Sequence, residues 1–449
     1  MRRLFGTDGI RGEAGVPPLD GPTMYRLGRA LARWLADADG GQPPTVCLGR
    51  DTRESGAFIA ACLATGLEDG GARAVSAGVL PTPGLALVTR TGPYRAGLMV
   101  SASHNPYHDN GVKVLDADGA KLPDAAELEI ERLIDEQPAP DEDRLGHRPI
   151  DDDPQPEAAY LEFLERCLDG TRLDGLRVVL DTAHGAAYRL APAALRRAGA
   201  DVIVLADAPD GRNINAGVGS MHPDVVARAV VEHGADLGFA FDGDADRCIG
   251  ASRAGAVLDG DFTLFYAGRA LAREGRLPGR TVVGTVMSNL GLEKALGRHG
   301  LQLHRTPVGD RYVLQALREG GFSLGGEQSG HVIFLDLAPT GDGILTALMI
   351  CRLLASGEDD PEIARRELPR FPQVLRNVRV RAKPRIDEHP VLADAVRRAE
   401  REMRGDGRVV VRYSGTEPKA RVMVEGADER LVQRLAADLA AVFERELGS

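Results

Sequence analysis

The sequence predicts an α/β protein with three α/β domains on mixed, mostly parallel sheets and a smaller C-terminal α+β domain. Three observations carry that expectation. A pattern of short apolar strand, polar turn, helix and second short strand occurs three times. At 449 residues the chain is too long for one compact core. A hydrophobic content of 43% with 54 glycines fits a globular α/β chain rather than a fibre or a disordered polymer.

The first unit has a strand at 45–48, a helix at 55–69 and a returning strand at 74–76. The second has a strand at 176–180, the turn Asp181-Thr182-Ala183-His184-Gly185, a helix from about 187 and a strand at 202–205. The third has a strand at 281–286, Ser288 as a helix N-cap, a helix to about Arg298 and a strand at 301–304. Strand, helix, strand in that order gives parallel pairs covered by helices, with ligand loops expected at the carboxyl ends of the strands. Strands at 409–413 and 421–424 and a helix from about Glu429 break the pattern and read as a smaller α+β unit. The Pro-, Asp- and Glu-rich stretch 135–157, the Gly- and Asp-rich stretch 252–261 and the segment 368–372 are the boundaries. They divide the chain into 1–153, 154–253, 254–368 and 369–449.

A net charge of −11 argues against nucleic acid, which requires a basic face. Five scattered cysteines without a Cys-x-x-Cys pair read as reduced core thiols, not as disulfides or a zinc site. No apolar signal core opens the chain and no 18-residue apolar run occurs, so a cytoplasmic protein without a membrane partner is expected. Only five lysines stand against 50 arginines. Arginine cannot accept a proton at ordinary pH, so each lysine draws attention, Lys113 among them.

Four segments could carry chemistry. Asp242, Asp244 and Asp246 follow the apolar strand 237–241, and alternate carboxylates in a strand-end loop can converge on one point. An EF-hand fails, because Arg247 stands where glycine is needed and Arg253 where the bidentate glutamate belongs. The set suits Mg²⁺, which retains positions for phosphate oxygens. Ser101 and Ser103 follow the strand 96–100, and either hydroxyl could be a nucleophile in a turn. Glu327 to His331 offers a carboxylate, an amide, a hydroxyl and an imidazole, the mixture a polyhydroxylated ligand needs. Arg412, Ser414, Gly415, Thr416 and Arg421 combine hydroxyls, backbone N–H groups and two guanidinium groups around a turn that suits phosphate. Each segment alone can also be an ordinary polar turn. A P-loop is absent, since no lysine precedes Ser or Thr, and no Gly-x-Gly-x-x-Gly opens a helix.

Taken in order, Phe5–Gly12 (FGTDGIRG), Ser101–Lys113 (SASHNPYHDNGVK), Asp242–Arg247 (DGDADR), Pro307–Val313 (PVGDRYV), Gly326–His331 (GEQSGH) and Ser414–Pro418 resemble the α-D-phosphohexomutase superfamily. The resemblance implies four domains around a central cleft and Ser103, not Ser101, as the phosphoserine. It implies one Mg²⁺ per chain on Asp242, Asp244, Asp246 and a phosphate oxygen of Ser103. Lys113 is implied as a proton carrier or a charge-stabilising cation, with Arg11, His104 and Arg247 lining the same site. Gly309, Asp310, Glu327, Ser329 and His331 would meet the sugar, and the Arg412–Arg421 loop would hold the phosphate that is not reacting.

The implied reaction is an isomerisation of a small sugar phosphate through a hexose 1,6-bisphosphate, which also serves as activator. The FGTDGIRG opening and Gln328 lean toward the branch that interconverts glucosamine 6-phosphate and glucosamine 1-phosphate for cell-envelope precursors. A mutase of glucose or mannose phosphates is the nearer rival, and a non-catalytic sugar-phosphate sensor the more distant one. The resemblance leaves a homodimer open.

Overall fold

A computed structural model of the chain describes residues 4–6, 8–38, 43–146, 150, 152–414 and 418–448. The first unit comprises β1 (Ile10–Glu13), α1 (Gly21–Ala38), β2 (Thr45–Arg50), α2 (Gly56–Asp69), β3 (Arg73–Val79), α3 (Thr82–Thr91), β4 (Ala96–Val100), β5 (Asp109–Leu115) and α4 (Asp124–Glu136). Its sheet runs β1-β5-β4-β2-β3. The β2, β3 and β4 strands are parallel, and β5 and β1 add antiparallel at one edge.

The second unit repeats the plan with α5 (Gln155–Arg166), β6 (Arg177–Asp181), α6 (Ala187–Arg197), β7 (Asp201–Leu205), α7 (Asp224–His233), β8 (Leu237–Phe241), β9 (Cys248–Ser252) and β10 (Val257–Leu258). Its strand order is β10-β9-β8-β6-β7, again parallel in the middle and antiparallel at one edge. The Gly- and Asp-rich stretch 252–261 therefore holds a β9–β10 hairpin and the start of the next helix.

The third unit has α8 (Gly260–Arg273), β11 (Thr281–Thr285), α9 (Leu290–Arg298), β12 (Gln302–Thr306), α10 (Asp310–Gly320), β13 (Leu324–Gly326), β14 (Val332–Phe334), α11 (Gly343–Ala355) and α12 (Pro361–Glu367). Its sheet order is β12-β11-β13-β14. The expected cap at Ser288 is corrected to Asn289, whose side chain accepts from Gly291 N at 3.0 Å. Ser288 is fully buried, and its hydroxyl turns back to accept from Thr285 N at 3.3 Å.

The last unit has β15 (Gln373–Arg379), α13 (Pro390–Glu402), β16 (Gly407–Tyr413), β17 (Lys419–Gly426) and α14 (Glu429–Leu447). Its antiparallel sheet runs β15-β17-β16. Neither β15 nor α13 stands out in the sequence: β15 is largely exposed, and α13 is rich in charged residues along most of its length.

Packing explains which units act together. One apolar core runs from α3 and α5 through the second sheet to α8 and α11 of the third unit. The terminal unit has a core of its own. It meets the third unit through polar contacts at 286–290: Arg408 donates to the Val286 carbonyl at 2.9 Å, and Leu290 N donates to Glu425 Oε1 at 3.0 Å. Among the described residues no helix is long and apolar enough to cross a membrane.

Within the first unit, α1 and α2 touch at two glycines. A Cβ on Gly66 would lie 2.0 Å from the Tyr25 carbonyl oxygen, and one on Gly28 would lie 2.2 Å from that of Leu63. Backbone cannot yield to a methyl group at that range, so Gly66→Ala must part the helices. The expected cost is about 1–3 kcal/mol, read as a lower midpoint in urea unfolding. An unchanged midpoint would show that the helix pair separates freely.

Candidate active site

Two loops from different units meet face to face. The β4 strand ends at Val100 and releases Ser101–Asn105, and β8 ends at Phe241 and releases Asp242–Arg247. Both follow the carboxyl ends of parallel strands. Ser103 Oγ donates to Asp242 Oδ2 at 2.5 Å and lies 3.3 Å from His104 Nδ1. Ser101 points elsewhere: its hydroxyl donates to Asp51 Oδ2 at 2.6 Å and accepts from Ser103 N at 2.9 Å. Of the two serines, Ser103 is the one whose hydroxyl meets the Asp242–Arg247 loop.

Asp242, Asp244 and Asp246 each offer one oxygen, and these oxygens lie within 4.8 Å of one another. Asp242 and Asp244 are fully buried, and the Asp246 side chain is 13% exposed. Burial pushes the Asp242 carboxyl well above the usual range, and the charges of Asp246 and Asp244 push it further. Burial also opposes ionisation of Asp244, but the Lys113 ammonium at 2.9 Å and the Thr82 hydroxyl at 2.6 Å win and lower it.

Asp244 Oδ1 and Asp246 Oδ1 are buried without a hydrogen-bond partner. An all-oxygen set with orphaned lone pairs and excess negative charge fits a hard divalent cation. Asp242, Asp244, Asp246 and the Ser103 hydroxyl are the residues that could hold it.

Positive charge surrounds this cluster. Lys113, on β5, is almost wholly buried and lies 3.5 Å from both Asp8 and Asp246. Desolvation disfavours its charge, yet Asp244, Asp8 and Asp246 outweigh it and hold the ammonium well above its ordinary value. Arg11, across the β1–β5 ladder, pairs with Asp8. Arg247 N donates to Asp242 Oδ1 at 3.1 Å, and burial of its guanidinium is offset by Asp242, Asp246 and Glu327. Burial drives the His104 imidazole from 6.5 down to about 4, assisted by Arg247 and Arg11.

The third unit supplies the opposite wall. Glu327 Oε1 accepts from Gly309 N at 3.1 Å, joining the two sequence motifs of that unit. Asp310 pairs with Lys121 of the first unit at 2.6 Å, and His331 Nε2 lies 4.0 Å from the same carboxylate. His331 is buried, with neither ring nitrogen hydrogen-bonded, while Ser329 is exposed. In the terminal unit Arg412 and Arg421 face each other in register on β16 and β17. Burial and Arg421 both weaken the charge on Arg412, and Glu327 reinforces it across the cleft. Ser414 follows β16 directly, and its carbonyl accepts from Lys383 Nζ at 2.5 Å. Gly415 and Thr416 lie outside the described residues.

The residues missed in the sequence bring the loops together. Thr82 caps nothing visible in its own segment, yet its hydroxyl reaches Asp244. Asp8 sits inside FGTDGIRG and gathers Arg11, Lys113 and Lys121. Lysine scarcity could have pointed to Lys121 as it did to Lys113.

Three sandwich-like units and a terminal α+β unit around one cleft, with a serine set among carboxylates, define the class of α/β phosphotransfer enzymes. Family profiles for phosphoglucomutase/phosphomannomutase match residues 2–140 (α/β/α domain I), 158–255 (domain II), 259–371 (domain III) and 375–442 (C-terminal domain). The chain belongs to that family. It is 49% identical to phosphoglucosamine mutase of Symbiobacterium thermophilum over 451 residues, covering 100% of both chains. It is 48% identical to phosphoglucosamine mutase of Solibacter usitatus, covering 99% of each.

Among solved structures, a phosphoglucomutase/phosphomannomutase family protein from Burkholderia thailandensis shares the fold with a TM-score of 0.79 at 24% identity, over 98% of this chain and 97% of that one. N-acetylphosphoglucosamine mutase of Aspergillus fumigatus, in complex with GlcNAc-6P and magnesium, shares it with a TM-score of 0.70 at 19% identity, over 99% and 96%.

A His104 value of about 4 against the ordinary 6.5 means that the unfolded chain takes up this proton first as pH falls. The stability tied to neutral His104 is therefore complete above about 6.5 and is lost as pH drops toward 4. The ring resonances of His104, assigned by comparison with His104→Gln, are expected to stay unmoved between pH 8 and about 5. A midpoint near 6.5 would refute the burial argument.

Proposed function

We propose that this protein interconverts glucosamine 6-phosphate and glucosamine 1-phosphate through a phosphoserine at Ser103. The observation that carries the reading is the Ser103 hydroxyl, buried and 2.5 Å from one of three clustered carboxylates. A sensor needs no such nucleophile. Full-length relatives at 48–49% identity bearing the phosphoglucosamine mutase name favour the amino-sugar substrate over glucose or mannose phosphates.

A sugar hydroxyl attacks the phosphorus of phosphoserine, the P–Oγ bond breaks, and Ser103 is released as the alcohol. The product is the 1,6-bisphosphate. It turns around in the cleft, and its other phosphate passes to Ser103, restoring the phosphoenzyme. No phosphate is gained or lost over the cycle. A divalent cation, Mg²⁺ in this reading, would be held by Asp242, Asp244, Asp246 and Ser103 and would neutralise charge on the transferring group.

Arg247 and Arg11 add fixed positive charge on the same face. Lys113, held as an ammonium by its three carboxylate neighbours, suits a group that neutralises charge and returns a proton to the leaving oxygen. His104 is neutral at pH 7 and able to accept a hydrogen bond beside Oγ. Glu327, Ser329, His331, Gly309 and Asp310 line the sugar end. Arg412 and Arg421, with Ser414, Gly415 and Thr416, hold the idle phosphate. That anchor reads charge rather than ring orientation, so one cleft serves both directions of the substrate.

Initial rates with Mg²⁺ and a trace of hexose 1,6-bisphosphate should show the highest kcat/KM for glucosamine 6-phosphate over glucose 6-phosphate and mannose 6-phosphate. Preference for a neutral hexose would move the protein to a sister branch. Turnover of none would sink the substrate class. Ser103→Ala is expected to abolish turnover, and Asp244→Asn to lower kcat by at least about 100-fold. Chelation should stop the wild-type reaction and added Mg²⁺ restore it; full activity in excess chelator would remove the metal from the scheme.

A further inference from the structure

Behind the Ser103 loop lies a buried charged side chain that holds the loop by its backbone. Arg53, just beyond β2, is 2% exposed, and every one of its five N–H donors is engaged. Nε donates to Asp51 Oδ2 at 2.9 Å. One terminal nitrogen donates to the carbonyls of Ser103 and Asn105, both at 2.9 Å. The other donates to the Asp109 carbonyl at 2.9 Å and to that of Pro106. One guanidinium thus gathers four carbonyls of the loop that carries Ser103.

The loop needs such a clamp. Ser103 has φ 51°, in the left-handed region that a residue with a side chain occupies at a cost. Both peptide groups around it are pinned. Its N–H donates to Ser101 Oγ, whose hydroxyl is held by Asp51, the ion-pair partner of Arg53. Its carbonyl accepts a second bond from Asn215 Nδ2 at 2.9 Å, and Asn215 also donates to the Asn105 carbonyl at 3.1 Å. With φ set and both neighbours tied, the direction of Cα–Cβ is determined, and so is the reach of Oγ toward Asp242.

We propose that Arg53 is a positioning residue for phosphoryl transfer, acting through the Ser103 backbone with Asp51, Ser101 and Asn215 as its partners. This inference rests on the phosphoserine reading of Ser103. Lysine cannot replace Arg53, because an ammonium presents three donors from one point and the four carbonyls are spread along 103–109. A loosened clamp displaces the nucleophile without altering the sugar or phosphate contacts, so the loss falls on kcat.

The test compares full-length wild type, Arg53→Lys and Asn215→Ala with Mg²⁺, hexose 1,6-bisphosphate and glucosamine 6-phosphate, and follows amide exchange over residues 101–109. Arg53→Lys is expected to lower kcat about 100-fold with KM within about threefold and to speed exchange in that loop alone. Asn215→Ala is expected to show the same split with about a tenfold loss. Guanidinium added to Arg53→Ala should restore part of the lost kcat.

A folded Arg53→Lys with wild-type kcat overturns the proposal. So does a loss of protection spread over the whole chain, which marks a merely structural role. Where Arg53→Lys fails to fold, Asn215→Ala decides: wild-type kcat refutes the proposal and a reduced kcat at unchanged KM supports it. If wild type turns over no sugar phosphate, the proposed function falls, while exchange in the 101–109 loop still reports whether Arg53 and Asn215 hold Ser103.

Discussion

Three carboxylates confined within 4.8 Å, in a place that water scarcely reaches, repel one another strongly. At an effective dielectric constant of about 20, two unit charges about 4 Å apart cost about 4 kcal/mol. Positive charge must therefore be held close, and the second unit alone does not provide enough of it. Lys113 comes from β5 of the first unit, and Thr82 adds a hydroxyl from the start of α3. Arg247 comes from the loop itself. The repulsion is thus one reason that the two units meet where they do. It also leaves the cluster in want of a cation beside the Ser103 hydroxyl.

The backbone around the cluster is held in unusual shapes. Ser103, Ala183, His184, Asn215 and Ala245 all have positive φ, and each such residue costs on the order of 1–3 kcal/mol. They come from four segments of the chain that hydrogen bonds draw together. Asp181 accepts from Ala183 N at 3.0 Å and Gly219 N at 2.8 Å, while Asn215 N donates to the Ala183 carbonyl at 2.9 Å. Gly185 lies against the backbone of the Asp242–Arg247 loop, where a Cβ would come within 2.5 Å of the Gly243 carbonyl oxygen. These hydrogen bonds tie the strained residues to one another and to the Ser103 loop.

The third and fourth units are joined to this rigid base in different ways. A shared apolar core continues from the second sheet into α8 and α11. The terminal unit has its own core and meets the third unit where Arg408 donates to the Val286 carbonyl and Glu425 accepts from Leu290 N, while the Asn289 side chain both donates to and accepts from the Phe371 backbone at 3.0 Å. Apolar packing resists separation across its whole area, whereas a few hydrogen bonds can be exchanged for water. Arg412 and Arg421 sit on this separately packed unit, whereas Asp242, Asp244 and Asp246 belong to the continuous base.

Local pattern alone determined much of this protein. Alternation of apolar strand, turn and helix was enough for the α/β class, and short motifs identified Ser101–Asn105, Asp242–Arg247 and Glu327–His331, because strand-end loops keep their chemistry within a few residues. The antiparallel strands β1, β5, β9, β10 and β14 escaped, since pairing direction depends on partners distant in sequence. The N-cap shifted from Ser288 to Asn289 because burial turned the serine hydroxyl inward. Where the resemblance already favoured Ser103 over Ser101, the tertiary structure added the geometric difference: one hydroxyl is held by Asp51 and the other faces Asp242. It also gathered Asp8, Thr82, Arg53 and Lys121, whose partners lie 50 or more residues away along the chain in most cases. Their roles arise from distance in space, which a linear sequence does not encode locally.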